Sequence, residues 1–113
     1  MSKKILNIRE VDRNIFDMIQ SGKKTVETRA ATRKFIGIKV NDVLIFKCGK
    51  DMLEKQVIEK YTFKSIEDLY KSIDIKEIMP YIDSKEKAIK VWYSFPNYKE
   101  KTKKYGLVAF RLN

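Results

Sequence analysis

An α+β domain is the fold this sequence predicts, and three observations predict it. Short apolar runs with strand character recur at four or five places, the last being Leu107-Val108-Ala109-Phe110-Arg111-Leu112. Between them lie stretches whose apolar residues fall three or four apart, the spacing that gives a helix one buried face. A chain of 113 residues fills one modest core, so strands and helices must share it. The expectation is a single domain over residues 1–113, a small barrel or strongly curled sheet with helices packed beside it.

The elements follow in order. Lys4 to Arg9 reads as a first strand, with Ile5, Leu6 and Ile8 supplying its apolar content. Asp12 is placed to cap a helix running to about Ser21, with Val11, Ile15, Phe16 and Ile19 as its buried stripe. Gly22 ends that helix, because glycine accepts the left-handed turn a helix terminus needs. A second strand starts near Thr25. Ala30 to Gly37 has no clean period and carries Arg33 and Lys34, so it reads as an exposed basic loop. Asn41-Asp42 marks a turn into a strand over Val43–Cys48, which Gly49 closes. In Leu53 to Phe63 the alternation puts Val57, Tyr61 and Phe63 on one face of another strand. Thr62, or by preference Ser65 with Asp68 three residues on, opens a helix with Ile66, Leu69, Tyr70 and Ile73 inward. Asp74 to Met79 reads as a short helical turn before Pro80. Ser84 caps a further helix with Ala88, Ile89 and Trp92 inward, and Pro96 stops it. Tyr98 to Tyr105 reads as a lysine-rich connection, and Gly106 opens the last strand.

Composition narrows the chemistry. Hydrophobic content of 43% with 12% aromatics belongs to a folded globule. No apolar run approaches a membrane span, and no apolar segment follows Met1-Ser2-Lys3-Lys4 as a secretory leader would require. Cys48 is the one cysteine, inside an apolar run, which fits a small buried side chain in a reducing compartment. A cytoplasmic protein that does not enter membranes is therefore expected. Histidine is absent, so Ser-His and Cys-His dyads are excluded, and one cysteine without histidine makes no zinc site. No metal or cofactor is expected, and acid–base chemistry falls to lysine, carboxylates, tyrosine or water.

The net charge of +10 is distributed unevenly. Residues 22–50 hold eight basic side chains against two acidic ones, and residues 84–113 hold the same. Residues 51–83 hold five against eight. Two basic blocks flanking an acidic middle suit a polyanion-facing surface, while a solvated lysine-rich skin explains the charge equally well. Lys23, Arg33 and Lys34 in the first block are candidate phosphate contacts. Lys99, Lys101, Lys103 and Lys104 in the second lie between Tyr98 and Tyr105. An RNA-backbone contact and a solvated loop account for that segment equally.

The most charge-dense stretch is Gly22-Lys23-Lys24-Thr25-Val26-Glu27-Thr28-Arg29. On a strand beginning at Thr25, period-two alternation sets Thr25, Glu27 and Arg29 on one face and Val26 and Thr28 on the other. Lys24 then stands at the strand's mouth. The arrangement is either a site or an ion-pair network. As a base, Lys24 would need burial or a cationic neighbour to lower its pKa, whereas Glu27 beside it raises that pKa. A charged Lys24 holding phosphate or a polarised carbonyl is the expectation from this stretch. Glu27 can accept from a nucleobase amino group while Arg29 holds an acidic moiety, or the two can simply pair with each other. Trp92, Tyr93 and Phe95 offer aromatic faces for stacking an unpaired base, but Trp92 falls on an inward helix face and is expected in the core. Tyr93 and Ser94 follow it in accessible positions and are candidate substrate contacts.

Gly22-x-Lys24-x-x-Glu27-x-Arg29 followed by Asn41-Asp42-Val43-Leu44-Ile45-Phe46 resembles the ASCH domain, a relative of the PUA RNA-binding barrel. The segments Tyr93-Ser94-Phe95-Pro96-Asn97-Tyr98 and Tyr105-Gly106-Leu107-Val108-Ala109-Phe110 resemble that family's closing region, in the same order. The resemblance covers nearly the whole chain. It implies a PUA-like β-barrel of five or six strands with helices beside it and a cleft at the Lys24 motif. It also implies RNA or a modified nucleoside as partner, with Thr25 and Arg29 among the binding residues. One branch of small members hydrolyses the amide of N4-acetylcytidine with a lysine, a threonine and a glutamate. Another class is similar to metal-dependent ribonucleases. Lys24 matches the lysine's place in the amidohydrolase branch. That branch's threonine falls where this chain has Glu27, with Thr25 and Thr28 adjacent, and the downstream acid is assigned to Glu77, with Asp74 second. Three expectations follow: an RNA- or nucleoside-binding module, an amidohydrolase using Lys24, Glu27 and Glu77, or a protein-interaction domain with a vestigial cleft.

Overall fold

The last strand ties the molecule together, because its apolar run is buried on both faces. In β5 (Leu107–Leu112), Leu107 and Ala109 enter one core while Val108, Phe110 and Leu112 enter another. An uninterrupted apolar run is what a strand covered on both sides requires. The computed structural model describes residues 1–113, with five strands in a single sheet and six helices around it. β1 (Lys3–Asn7) runs parallel to β3 (Val43–Cys48), and all other pairings are antiparallel. Across the sheet the order is β1-β3-β4-β5-β2, where β4 is Asp51–Phe63 and β2 is Val26–Ala30. This is a curled half-barrel of an α+β fold. Its two edge strands, β1 and β2, approach each other closely enough for the Arg29 guanidinium to come within 3.5 Å of the Asn7 carbonyl.

The first core packs α1 (Arg13–Gln20) on the sheet through Phe16 and Ile19, which meet Leu6, Leu44, Phe46 and Val57. The second core lies on the other face. It is covered by α3 (Ile66–Ser72), α4 (Ile75–Ile78) and α5 (Lys85–Ser94), with Trp92 fully buried at its centre. Trp92 donates its indole N–H to Thr102 Oγ1 at 2.9 Å, which satisfies the one polar atom the ring carries.

Several local expectations hold with their physical causes in view. Ser65 caps α3 by accepting from the Asp68 amide at 3.1 Å, and Ser84 caps α5 by accepting from Lys87 at 3.2 Å. Gly22 takes φ +82°, so the chain turns back and the Lys24 amide donates to the Met18 carbonyl at 3.0 Å. Asp42 ends its turn by accepting from the Lys39 and Ser2 amides at 2.8 and 2.9 Å. These bonds hold β1 in register at its start and keep the Asp42 pKa below the ordinary value.

Four expectations are corrected. A bulge between Val57 and Glu59 shifts the β4–β5 register, so Val57 faces the first core while Tyr61 and Phe63 pack against the second. Val11 lies in a 3-10 turn over Glu10–Asp12 and is 79% exposed, outside the buried helix face. Asp12 makes no capping bond, since its carboxylate accepts from Arg9 Nε at 2.8 Å. Both basic "loops" contain helices: α2 (Arg33–Ile36) and α6 (Tyr98–Tyr105). α6 is anchored by buried Thr102 and by Tyr98, whose ring packs on Trp92, and its other residues are mostly lysines in water. Only one of its faces touches the protein, which left little periodic signal.

Candidate functional site

The site forms where the half-barrel stays open. A cavity of about 260 Å³ lies between the edge strands. Asn7, Ile8 and Arg9 line it from the end of β1, and Lys24, Glu27, Thr28 and Arg29 from β2 and its approach. Ile78, Met79 and Tyr81 close a third side from α4 and the segment after it, and Phe95, Pro96 and Tyr98 a fourth from the α5–α6 junction. Asp12 and Ile15 complete the wall beside Arg9.

Its charged floor is buried. Lys24 and Glu27 are each only 5% exposed. The Lys24 ammonium donates to the Val26 carbonyl at 2.8 Å and the Ile78 carbonyl at 2.7 Å, and stands 3.5 Å from Glu27 Oε1. Two carbonyl acceptors and a facing carboxylate suit a protonated amine, which has donors only. Burial nevertheless pulls the Lys24 pKa below the ordinary lysine value, and the Glu27 carboxylate restores only part of it. The expectation that Glu27 would dominate is therefore corrected: removing the ammonium from water is the larger effect.

Glu27 is held as a carboxylate. Burial favours its neutral form, but Lys24, the Arg29 guanidinium and the Thr28 amide outweigh burial and bring its pKa below the ordinary range. Oε1 accepts from the Thr28 amide at 3.0 Å, and Oε2 accepts from Arg29 Nη2 at 3.2 Å. A carboxylate offers about four acceptor positions, and these donors leave one on Oε2. Arg29 in turn stacks 5.3 Å from the Phe35 ring centroid. Burial pushes the Tyr98 phenol up, and Arg29 pulls against it. Tyr81 is likewise raised, by burial and by the charges of Asp12 and Glu27.

The residues expected from the sequence divide into two groups. Lys24, Glu27 and Arg29 come together in the cavity, and Thr28 joins them from the opposite strand parity. Thr25 lies just before β2 and bonds through its backbone, donating to the Glu77 carbonyl and accepting from the Leu112 amide. The Glu77 carboxylate pairs with Arg111 and does not line the cavity. Asp74 caps α4. Tyr93 and Ser94 are exposed on α5, with Ser94 Oγ donating to the Val91 carbonyl at 2.6 Å. Lys23 is exposed beside Gly22, Arg33 and Lys34 sit on α2, and Lys99, Lys101, Lys103 and Lys104 sit on α6; none of these lines the cavity.

Sequence reasoning missed the N-terminal wall, Tyr81 and Pro96; it offered Phe95 as a base-stacking surface and Tyr98 as the aromatic end of a basic segment, and both line the cavity in the Phe95-Pro96-Tyr98 wall. That wall had a signal: it stands one to four residues beyond the Tyr93-Ser94 pair, at the proline that ends α5. No group of three or more His, Cys, Asp or Glu side chains is arranged to hold a metal ion. No helix is long and apolar enough to cross a membrane.

Comparison with known proteins agrees with this fold. The sequence profile of the ASCH domain matches residues 10–113. The chain is similar to the crystal structure of hypothetical protein PH0355, at 29% identity and TM-score 0.84, covering 100% of this chain and 98% of that one. It is also similar to the solution structure of protein PF0455 from Pyrococcus furiosus, at 28% identity and TM-score 0.77, covering 98% and 96%. No curated protein matches the sequence.

Proposed function

This chain belongs to the ASCH domain family, and from that premise we propose that its seam cavity binds a single nucleobase, presented by RNA or by a modified nucleoside. The observation that carries the reading is Glu27: a buried carboxylate, held ionised by two cations, with an acceptor position left at a cavity of about 260 Å³. That volume falls just below the ~300 Å³ at which pockets for drug-sized ligands begin, so one base is the right scale. An exocyclic amino group gives Glu27 its missing donor, as a carboxylate takes the N4 amino group of cytosine. Tyr81, Tyr98 and Phe95 supply aromatic surface for the flat faces of the base. The cavity is open although Lys24, Glu27 and Arg29 are locked together, which argues against a vestigial cleft.

Calorimetric titration with cytidine, adenosine, guanosine, uridine and N4-acetylcytidine tests the proposal. Binding by amino-bearing bases, weakened about tenfold in Glu27→Gln through loss of a charge-assisted bond, is the expected result. No heat from any nucleoside, or equal binding of uridine and cytidine, overturns it.

A second reading has one observation in its favour. Burial lowers the Lys24 pKa, the direction a general base needs. The amidohydrolase reading then predicts cytidine release from N4-acetylcytidine that stops in Lys24→Met. Binding ranks first because the Lys24 ammonium already donates to two backbone carbonyls and pairs with Glu27 inside the protein.

A further inference from the structure

Tyr81 walls two depressions at once. It lines the seam cavity, and it also lines an open groove of about 480 Å³ between the end of α4 and α5. Three lysines line that groove, Lys76 from α4 and Lys87 and Lys90 from α5, against a single carboxylate, Asp83. Asp83 is paired with Lys87 at 3.0 Å. Lys76 and Lys90 are exposed and form no ion pair within the protein. Lys87 and Lys90 stand three residues apart on one helix face, so their ammonium groups point the same way. Beside a pocket of nucleobase size there is thus a trough in which two of three lysines have no ion-pair partner within the protein. Ile82 and Val91 give the trough an apolar component that an ammonium cluster on a convex surface lacks.

We infer that this groove carries the phosphate backbone of a single-stranded RNA whose base occupies the seam cavity. The inference rests on the nucleobase reading and adds that the partner is a strand rather than a free nucleoside. Phosphates next to the bound base pass Tyr81 and meet Lys76 and Lys90, which exchange their small counterions for phosphate oxygens. The lysines of α6 and the basic residues of α2, more numerous in sequence, line neither the cavity nor the groove.

The test compares a fluorescein-labelled single-stranded RNA 12-mer of mixed sequence, read by anisotropy from 50 to 300 mM salt, with the nucleoside titration above. Wild type, Lys76→Glu/Lys90→Glu and a control, Lys101→Glu/Lys103→Glu, are compared after their melting curves are shown to agree. The groove variant is expected to bind the 12-mer at least tenfold more weakly. Its log K against log salt slope is expected to be shallower by about 1.4, from two contacts at ~0.7 each. Nucleoside binding stays unchanged in both variants, and the control keeps the wild-type slope. Nucleoside binding with no salt-sensitive RNA binding overturns the groove while leaving the cavity reading standing. Loss of RNA binding in the α6 control instead overturns it in favour of that helix. Absence of both kinds of binding in wild type overturns the two readings together.

Discussion

Lys24 and Glu27 form one buried ion pair at the cavity floor, so their contribution to stability can be tested directly. Replacing Lys24 with methionine leaves Glu27 in a desolvated site and strips a donor from the Val26 and Ile78 carbonyls. We expect a loss of about 3–5 kcal/mol in urea unfolding, the usual consequence of removing one partner of a buried pair. Glu27→Gln added to that background should recover part of it, because the stranded charge is gone; a purely additive double variant would refute the coupling. The pH dependence has a defined sign. Glu27 has a lower pKa folded than unfolded, so its stabilisation is complete above about pH 4.3 and drains away as pH falls through the folded value. Lys24 is also lowered, so the unfolded chain holds that proton more tightly and stability rises with pH across the interval between its two pKa values. Thermal melts from pH 2 to 6 should therefore fall less steeply toward acid in Glu27→Gln than in wild type. An equal slope would mean that Glu27 is not the depressed carboxylate. At this scale the sequence identified the three charged residues by type and spacing. It could not show that they are buried, and burial is what reverses the expected direction for Lys24.

Between elements, short connections position the site. The four-residue helix α4 is too short to hold itself, and three contacts fix it: the Thr25 amide to the Glu77 carbonyl, Lys24 to the Ile78 carbonyl, and Arg111 to the Glu77 carboxylate. Glu77, expected to reach the cavity, instead clamps the helix that supplies one of Lys24's acceptors. Its sequence position beside Ile78 was informative, but the direction of its side chain was not. Arg111→Ala should raise amide exchange at Met79, whose N–H closes α4 onto Ile75, while costing only about 0–1 kcal/mol globally, since the pair is partly exposed. Unchanged exchange there would remove the clamp. Gly106 marks the start of β5 at φ +77°, where a Cβ would stand 2.5 Å from the Phe63 carbonyl oxygen. Gly106→Ala should cost about 1–3 kcal/mol, the range for such strained positions, visible as a lower urea midpoint; a neutral result would show that β5 can shift. The bulge in β4 was hidden by the shared parity of Val57, Tyr61 and Phe63, which reads as one face although Glu59 interrupts it where the backbone gains a residue.

For the molecule as a whole, the two cores are joined through β5, which sends alternate side chains into each. Neither core can lose that strand without the other, so unfolding should be a single transition. Trp92 reports from the second core, and the amide band reports from the entire sheet. Near-UV and far-UV circular dichroism should give coincident urea curves, and a midpoint difference beyond error would show independent cores. The same architecture explains where the cavity lies. Five strands in the order β1-β3-β4-β5-β2 do not close, and the seam between the edge strands is the place where buried charge can still meet a ligand.

The sequence by itself determined the α+β class, most helix starts, the last strand and the charged triplet, because these depend on periodicity, capping residues and glycine, all local in the chain. Only the tertiary structure decided which walls complete the cavity. Arg9, Tyr81 and Pro96 are far apart in sequence and meet solely because the half-barrel curls. It also decided that Lys24 is a desolvated ammonium rather than a surface one, since a residue's pKa and reach follow from what surrounds it in space. No spacing along the chain encodes that surrounding.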